Sequence, residues 1–146
     1  MKKILIVALV ALATGTTAFA APSSKVTDHF ASAFKNAKNV TWKEDGRFDK
    51  VSFQLGGENV EAFYDVNGEL IGTSKTFAFD KLPKSALELI TTKYTFPENQ
   101  LRDCIEFTNG DSEKNYYVSF VKKNNDRFVL KITEGGIVSV FQKSKN

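Results

Sequence analysis

The sequence predicts an α+β fold: a tandem repeat of helix plus antiparallel β-hairpins, about eight strands in all, with two helices packed on one face of the sheet. Three observations carry this expectation. Short segments alternate apolar and polar residues with a period of two, as half-buried strands do. Gly56-Gly57, Asn67-Gly68 and Gly135-Gly136 punctuate them where tight hairpins need positive φ. A helix-period segment opens each half, and the second half then repeats the order of the first.

The N-terminus comes first. Lys2 and Lys3 precede an apolar run from Ile4 to Ala13, and Ala18-Phe19-Ala20 sets small residues where a signal peptidase needs them. This pattern predicts a signal peptide over residues 1–20, cut between Ala20 and Ala21, and a periplasmic or extracellular location. A membrane anchor fits less well, because a span needs about 20 apolar residues and this run is roughly half that. Residues 21–146 are then expected to form a single domain of two repeats, about 26–77 and 80–143. No membrane insertion is expected after cleavage.

In the first repeat, Thr27 can cap a helix running to about Ala37, with Phe30, Ala33, Phe34 and Ala37 along one face. Strands follow at Val40–Trp42, Val51–Leu55 and Val60–Tyr64, and Leu70-Ile71 returns after the turn at Asp65–Gly68. In the second repeat Leu82-Pro83 opens a helix, with proline tolerated in the first turn, and Ala86, Leu89, Ile90 and Tyr94 supply its apolar face. Strands are expected at about 101–107, 116–121, 128–132 and 137–141. Val51-Ser52-Phe53 corresponds to Val118-Ser119-Phe120. With one extra residue in the loop from Lys122 to Asp126, Val60, Ala62, Tyr64 and Leu70 align with Phe128, Leu130, Ile132 and Val138, and Asn67-Gly68 falls on Gly135-Gly136.

The loop at Asn67-Gly68 decides which side chains share a face. A two-residue loop would mix Glu69 and Lys75 with Val60 and Ala62. A three-residue loop pairs Tyr64 with Leu70 and keeps the apolar set together, so it is preferred. The face away from the helices then carries Phe63 and Ile71 in the first repeat, and Val129, Ile137 and Phe141 in the second. Thr73, Lys131 and Ser139 interleave with them, and Tyr117 lies nearby. Trp42, in step with Val40, is expected in the core.

Glu61-Ala62-Phe63-Tyr64-Asp65, Gly68-Glu69-Leu70-Ile71-Gly72-Thr73 and Leu82-Pro83-Lys84-Ser85-Ala86 resemble the PepSY-like, β-lactamase-inhibitor-protein-like family of exported Bacteroidetes proteins. Ala37-Lys38-Asn39-Val40-Thr41-Trp42 is similar to that family's opening. The resemblance implies a tandem helix-plus-sheet fold like that of the β-lactamase inhibitor protein, and it implies no established activity.

The chemistry-bearing residues are few. The one histidine, His29, falls near the start of a helix and reads as solvated, with no nucleophile elbow anywhere. Ser32-Ala33-Phe34-Lys35 has the Ser-x-x-Lys spacing of penicillin-recognising enzymes but lacks the companion motifs. Asp65-Val66-Asn67-Gly68-Glu69 starts like a calcium loop, yet Leu70 and Thr76 stand where glycine and a bidentate acid belong. One histidine and one cysteine cannot make a structural zinc site. Glu44 with Asp45, and Asp111 with Glu113, sit beside turn residues and read as solvated charge. Asn39-Val40-Thr41 fits a glycosylation sequon, of little weight behind a bacterial export signal. Cys104 has no partner for a disulfide and is expected to be buried.

No enzyme, cofactor or metal is therefore expected. The chain has 20 Lys+Arg and 17 Asp+Glu; without Lys2 and Lys3 the balance is 18 against 17, a net +1, and no nucleic-acid footprint is expected. The expected function is an exported, non-catalytic protein-binding module that uses the helix-free sheet face, with inhibition of an envelope or secreted protein as one form that binding can take. Phe63, Ile71, Tyr117, Val129 and Phe141 are its candidate contacts. The open alternatives are a structural or envelope-stress protein, a small-ligand carrier with a closed apolar pocket, and a homodimer seam on that face.

Overall fold

The computed structural model describes residues 22–44, 47–94 and 96–145; the expected leader, residues 1–20, lies outside them. The elements run α1 (Ser24–Ala33), β1 (Lys38–Glu44), β2 (Phe48–Leu55), β3 (Glu58–Asp65), β4 (Leu70–Thr76), α2 (Lys84–Lys93), β5 (Asn99–Asn109), β6 (Lys114–Lys122), β7 (Arg127–Thr133) and β8 (Val138–Ser144). The eight antiparallel strands form one open sheet in chain order. This is the α+β arrangement the periodicities predict. Two compact units divide the chain. The first runs up to Lys75 and takes in Phe107–Glu113, the end of β5 and the turn after it; the second holds Thr76–Glu106 and the chain from Lys114 onward.

In the first unit, α1 lays Val26 and Phe30 on Val51, Phe53, Ala62 and Tyr64, and Phe34, Ala37, Trp42, Leu55, Val60 and Leu70 complete the core. Edge-to-face rings hold it: Phe30 lies 5.2 Å from Trp42 and 5.0 Å from Phe53, a geometry aromatic quadrupoles favour. The helix starts earlier and stops earlier than its periodicity suggests. Ser23 occupies the cap position, and the Thr27 hydroxyl donates to the Ser24 carbonyl at 2.9 Å instead of capping. Phe34 leaves the helix at φ −120°, yet its ring still lies 4.9 Å from that of Phe53. The apolar spacing reflects burial, and a turn satisfies it as well as a helix. Ala33, expected on the core face, is exposed.

Two hairpins set the register. Gly56 and Gly57, at φ +59° and +87°, close β2 onto β3 with Leu55 opposite Glu58; both positive angles suit a two-residue turn. Between β3 and β4 the Asp65 amide donates to the Glu69 carbonyl and the Gly68 amide to the Asp65 carbonyl, each at 2.9 Å. This is the three-residue loop, and Tyr64 does pair with Leu70. A bulge follows at once: Phe63 pairs with Gly72, leaving Ile71 as the extra residue. The slip moves Thr73 opposite Ala62, on the helix side, and so corrects its expected place beside Ile71.

The second unit is built alike. Pro83 precedes α2 at its cap, and Ala86 and Ile90 are buried against Val118, Phe120, Phe128, Leu130 and Ile132. Leu89 is 46% exposed and Leu87 packs in its place. At about 100° per residue, Leu89 falls outside the arc spanned by Ala86, Ile90, Leu87 and Tyr94. The loop from β7 to β8 has the same bonds as its counterpart: the Thr133 amide donates to the Ile137 carbonyl and the Gly136 amide to the Thr133 carbonyl. Gly136 has φ +83°, and Gly68 has +76°. Each glycine also abuts the start of its own unit's helix, Gly68 against Lys25 and Val26, Gly136 against Pro83 and Ser85. A bulge again follows, with Leu130 opposite Val140, Val129 opposite Gln142, and Phe141 the extra residue.

Candidate functional site

The helix-free side of the sheet holds different groups in the two units. In the first, Phe63 lies between Phe48 at 5.8 Å and Phe107 at 6.5 Å, measured between ring centroids. Phe107 rests on Gly72, where a Cβ would stand 2.6 Å from its ring, so the close approach requires glycine. Beside the rings Lys50 Nζ meets Glu61 Oε1 at 2.7 Å, and the Ser52 hydroxyl donates to the same oxygen at 3.3 Å. Only 11% of the Lys50 side chain is exposed. Lys50 sits directly across from Phe63 in the register, and Ser52 across from Glu61, so rings and ion pair share one surface.

In the second unit Tyr117 meets Phe141 edge to face at 5.2 Å. The Ser119 hydroxyl donates to an Asp103 carboxylate oxygen and accepts from the Asp103 amide, each at 3.0 Å. Val129 lies across from Ser119, and Lys131 from Tyr117. Burial pushes the Tyr117 hydroxyl up to about 12, because an apolar setting disfavours the phenolate.

Of the expected contact residues, Phe63 is 0%, Tyr117 2% and Val129 5% exposed, whereas Ile71 and Phe141 are half-buried. The two half-buried residues are the two bulge residues. Ile137, expected on this face, is an exposed residue of the β7–β8 loop. Phe48, Phe107 and the Lys50–Glu61 pair were not read from the sequence. Phe48, Lys50 and Ser52 alternate, so the same period of two extends the strand from Val51 back to Phe48.

The groups with chemical potential are engaged structurally. The Ser32 hydroxyl donates to the His29 carbonyl at 2.8 Å, and Lys35 lies beyond the end of α1, so the Ser-x-x-Lys spacing builds no nucleophile. His29 is exposed on α1, and its Nδ1 is hydrogen-bonded to the Tyr64 hydroxyl at 3.1 Å. Asp65 Oδ1 accepts the Asn67 and Glu69 amides, each at 2.9 Å. The Glu69 amide above all holds its carboxyl below the usual range. That carboxylate shapes the turn. Asn109 does the same after β5, its Oδ1 accepting the Asp111 and Glu113 amides. Cys104 is buried in the second core, and burial, with Asp103 alongside, pushes its thiol up to about 11. Such a thiol is a weak nucleophile at neutral pH.

No protein-family model and no curated protein sequence matches the chain. Solved structures do. A BLIP-like protein from Bacteroides fragilis superposes with a TM-score of 0.71 at 19% identity, over 88% of this chain and 90% of that one. A DUF2874 family protein from Bacteroides ovatus gives 0.71 at 15% identity, over 84% and 89%. Another from Bacteroides uniformis gives 0.71 at 12%, over 81% and 86%. At these identities the likeness is one of fold. Among the described residues no helix is long and apolar enough to cross a membrane.

Proposed function

We propose that this chain is an exported, non-catalytic module that binds another protein through the helix-free side of its sheet and acts as an inhibitor of that partner. The carrying observation is made in each unit separately: beside a buried ring on this side, Phe63 in the first and Tyr117 in the second, the bulge residue, Ile71 or Phe141, is only half-buried. A partner meets those two side chains first. The buried rings behind them, Phe63 and Tyr117, hold the surface in shape, as anchors at interfaces need. The leader of residues 1–20 delivers the protein outside the cytoplasm, and the matched turns support the two-repeat division. The sequence motifs carry the link to PepSY-like proteins, and the likeness to a BLIP-like fold supports a binding role. A small-ligand carrier needs a closed apolar pocket and fits less well, since rings fill the space between helix and sheet in the first unit and the cleft beside the second helix is open.

The test is co-purification from envelope extract of the source cells with the protein and with Ile71→Asp and Phe141→Asp. One partner retained by the parent and lost by both variants, with circular dichroism unchanged, supports the reading. Equal retention by all three overturns it.

A further inference from the structure

We propose that a second binding surface, on the helix side of the second unit, takes a peptide segment of a partner protein that carries an aromatic side chain beside carboxylates. An open groove of ≈ 430 Å³ lies where α2 ends and β5 begins, floored by Phe79, Tyr94 and Phe120 and flanked by Phe96 and Leu101. Phe96 is 77% and Leu101 40% exposed. A phenylalanine left so open beside an apolar cleft is a feature of docking surfaces. The rings of the floor pack on one another: Phe120 stacks on Phe128 at 5.2 Å, and Tyr94 lies 5.2 Å from Phe128.

Charge selects the occupant. Lys93 Nζ lies 5.7 Å from the Tyr94 ring centre and Lys122 Nζ 5.8 Å from that of Phe128. An adjoining open space, sharing Asn99 with the groove, is lined by Glu98, Lys122, Lys123 and Asn124. Glu98 is already paired with Lys123 at 3.8 Å, and no acidic residue lines the aromatic groove itself among the described residues. By sequence, Thr76–Glu106 with the chain from Lys114 onward holds eleven Lys and Arg against seven Asp and Glu, a net +4. The first unit, counted from residue 21, holds seven against ten, a net −3. The near-neutral total conceals this asymmetry. A basic unit with an apolar cleft draws in an acidic partner and gives an aromatic side chain somewhere to bury.

The test titrates the isotope-labelled protein with three blocked hexapeptides and reads amide shifts by NMR. The expected result is that Glu-Phe-Glu-Glu-Phe-Glu moves the amides of Tyr94, Phe96, Leu101 and Lys122. Lys-Phe-Lys-Lys-Phe-Lys and Glu-Ala-Glu-Glu-Ala-Glu should leave them in place. Phe96→Ser should abolish the response, and Lys122→Glu with Lys123→Glu should weaken it about tenfold. Ile71→Asp should leave it unchanged, which separates this surface from the helix-free side. No localised shift, an equal response to the lysine peptide, stronger binding of oligothymidylate, or concentration-dependent self-association that protects the groove would each overturn the proposal.

Discussion

Tyr64 and Ile132 stand at matching places, each the last core residue before a three-residue loop with the same two backbone bonds. Tyr64 carries a hydroxyl bonded to His29 on its own unit's helix; Ile132 carries none. The same contrast runs across the helix-free side. Lys50 and Glu61 bridge β2 and β3 in the first unit, and the counterpart of Ser52, Ser119, bonds to Asp103 in the second. What is held in common is the helix-facing alternation and the turn chemistry, because those fix the register. The polar groups and the surface charge differ, and they can differ without disturbing the strands.

Removing the central ring of the first unit's helix-free side should give the largest effect. Phe63→Ala should cost about 3–5 kcal/mol, while Val129→Ala, across from Ser119 in the second unit, should cost about 2 kcal/mol. Urea denaturation measures both, and equal losses would contradict the full burial of the larger Phe63 ring. Next comes the ion pair. Lys50→Met leaves Glu61 one-third exposed beside apolar rings and should cost about 2 kcal/mol, whereas Ser119→Ala should cost about 1 kcal/mol. A neutral Lys50→Met would show that the pair is only a surface contact.

Alkaline pH tests the two tyrosines together. Burial raises Tyr64 and Tyr117 from 10.0 to about 12. Their contribution is complete below pH 10, where folded and unfolded states are both protonated. It is lost as pH rises from 10 toward 12, because the unfolded state ionises first. Tyr117→Phe should flatten that decline in denaturation midpoints, and an unchanged pH profile would contradict the burial assigned to it. The smallest effect is in the turns. Asp65→Ala removes an acceptor of two amides and should cost about 1 kcal/mol, and Thr133→Ala, whose hydroxyl accepts only the Ile137 amide, less than that.

The helix-facing half of this molecule was legible because it repeats. Val51 and Phe53 with Val118 and Phe120, and the two glycine loops, state register and side at once. Thr73 and Ile137 were misplaced because a bulge and a loop leave no mark in the alternation they interrupt. Leu89 was misplaced because a helix of ten residues offers two adjacent apolar arcs, and only the partner surface chooses between them. Phe107 came from the far end of β5 to cover Gly72, a contact between residues distant in sequence that no local pattern records. Of the candidate site, the bulge residues Ile71 and Phe141 could be named from sequence, but their prominence over buried neighbours could not.

The most direct test of the binding role is site-specific photo-crosslinking in living source cells, with a benzophenone amino acid at Ile71, at Phe141 and, as a control on α2, at Leu89. The account predicts one and the same partner joined at Ile71 and Phe141 and absent at Leu89. Adducts at Leu89 alone, or none at either bulge residue, would contradict it.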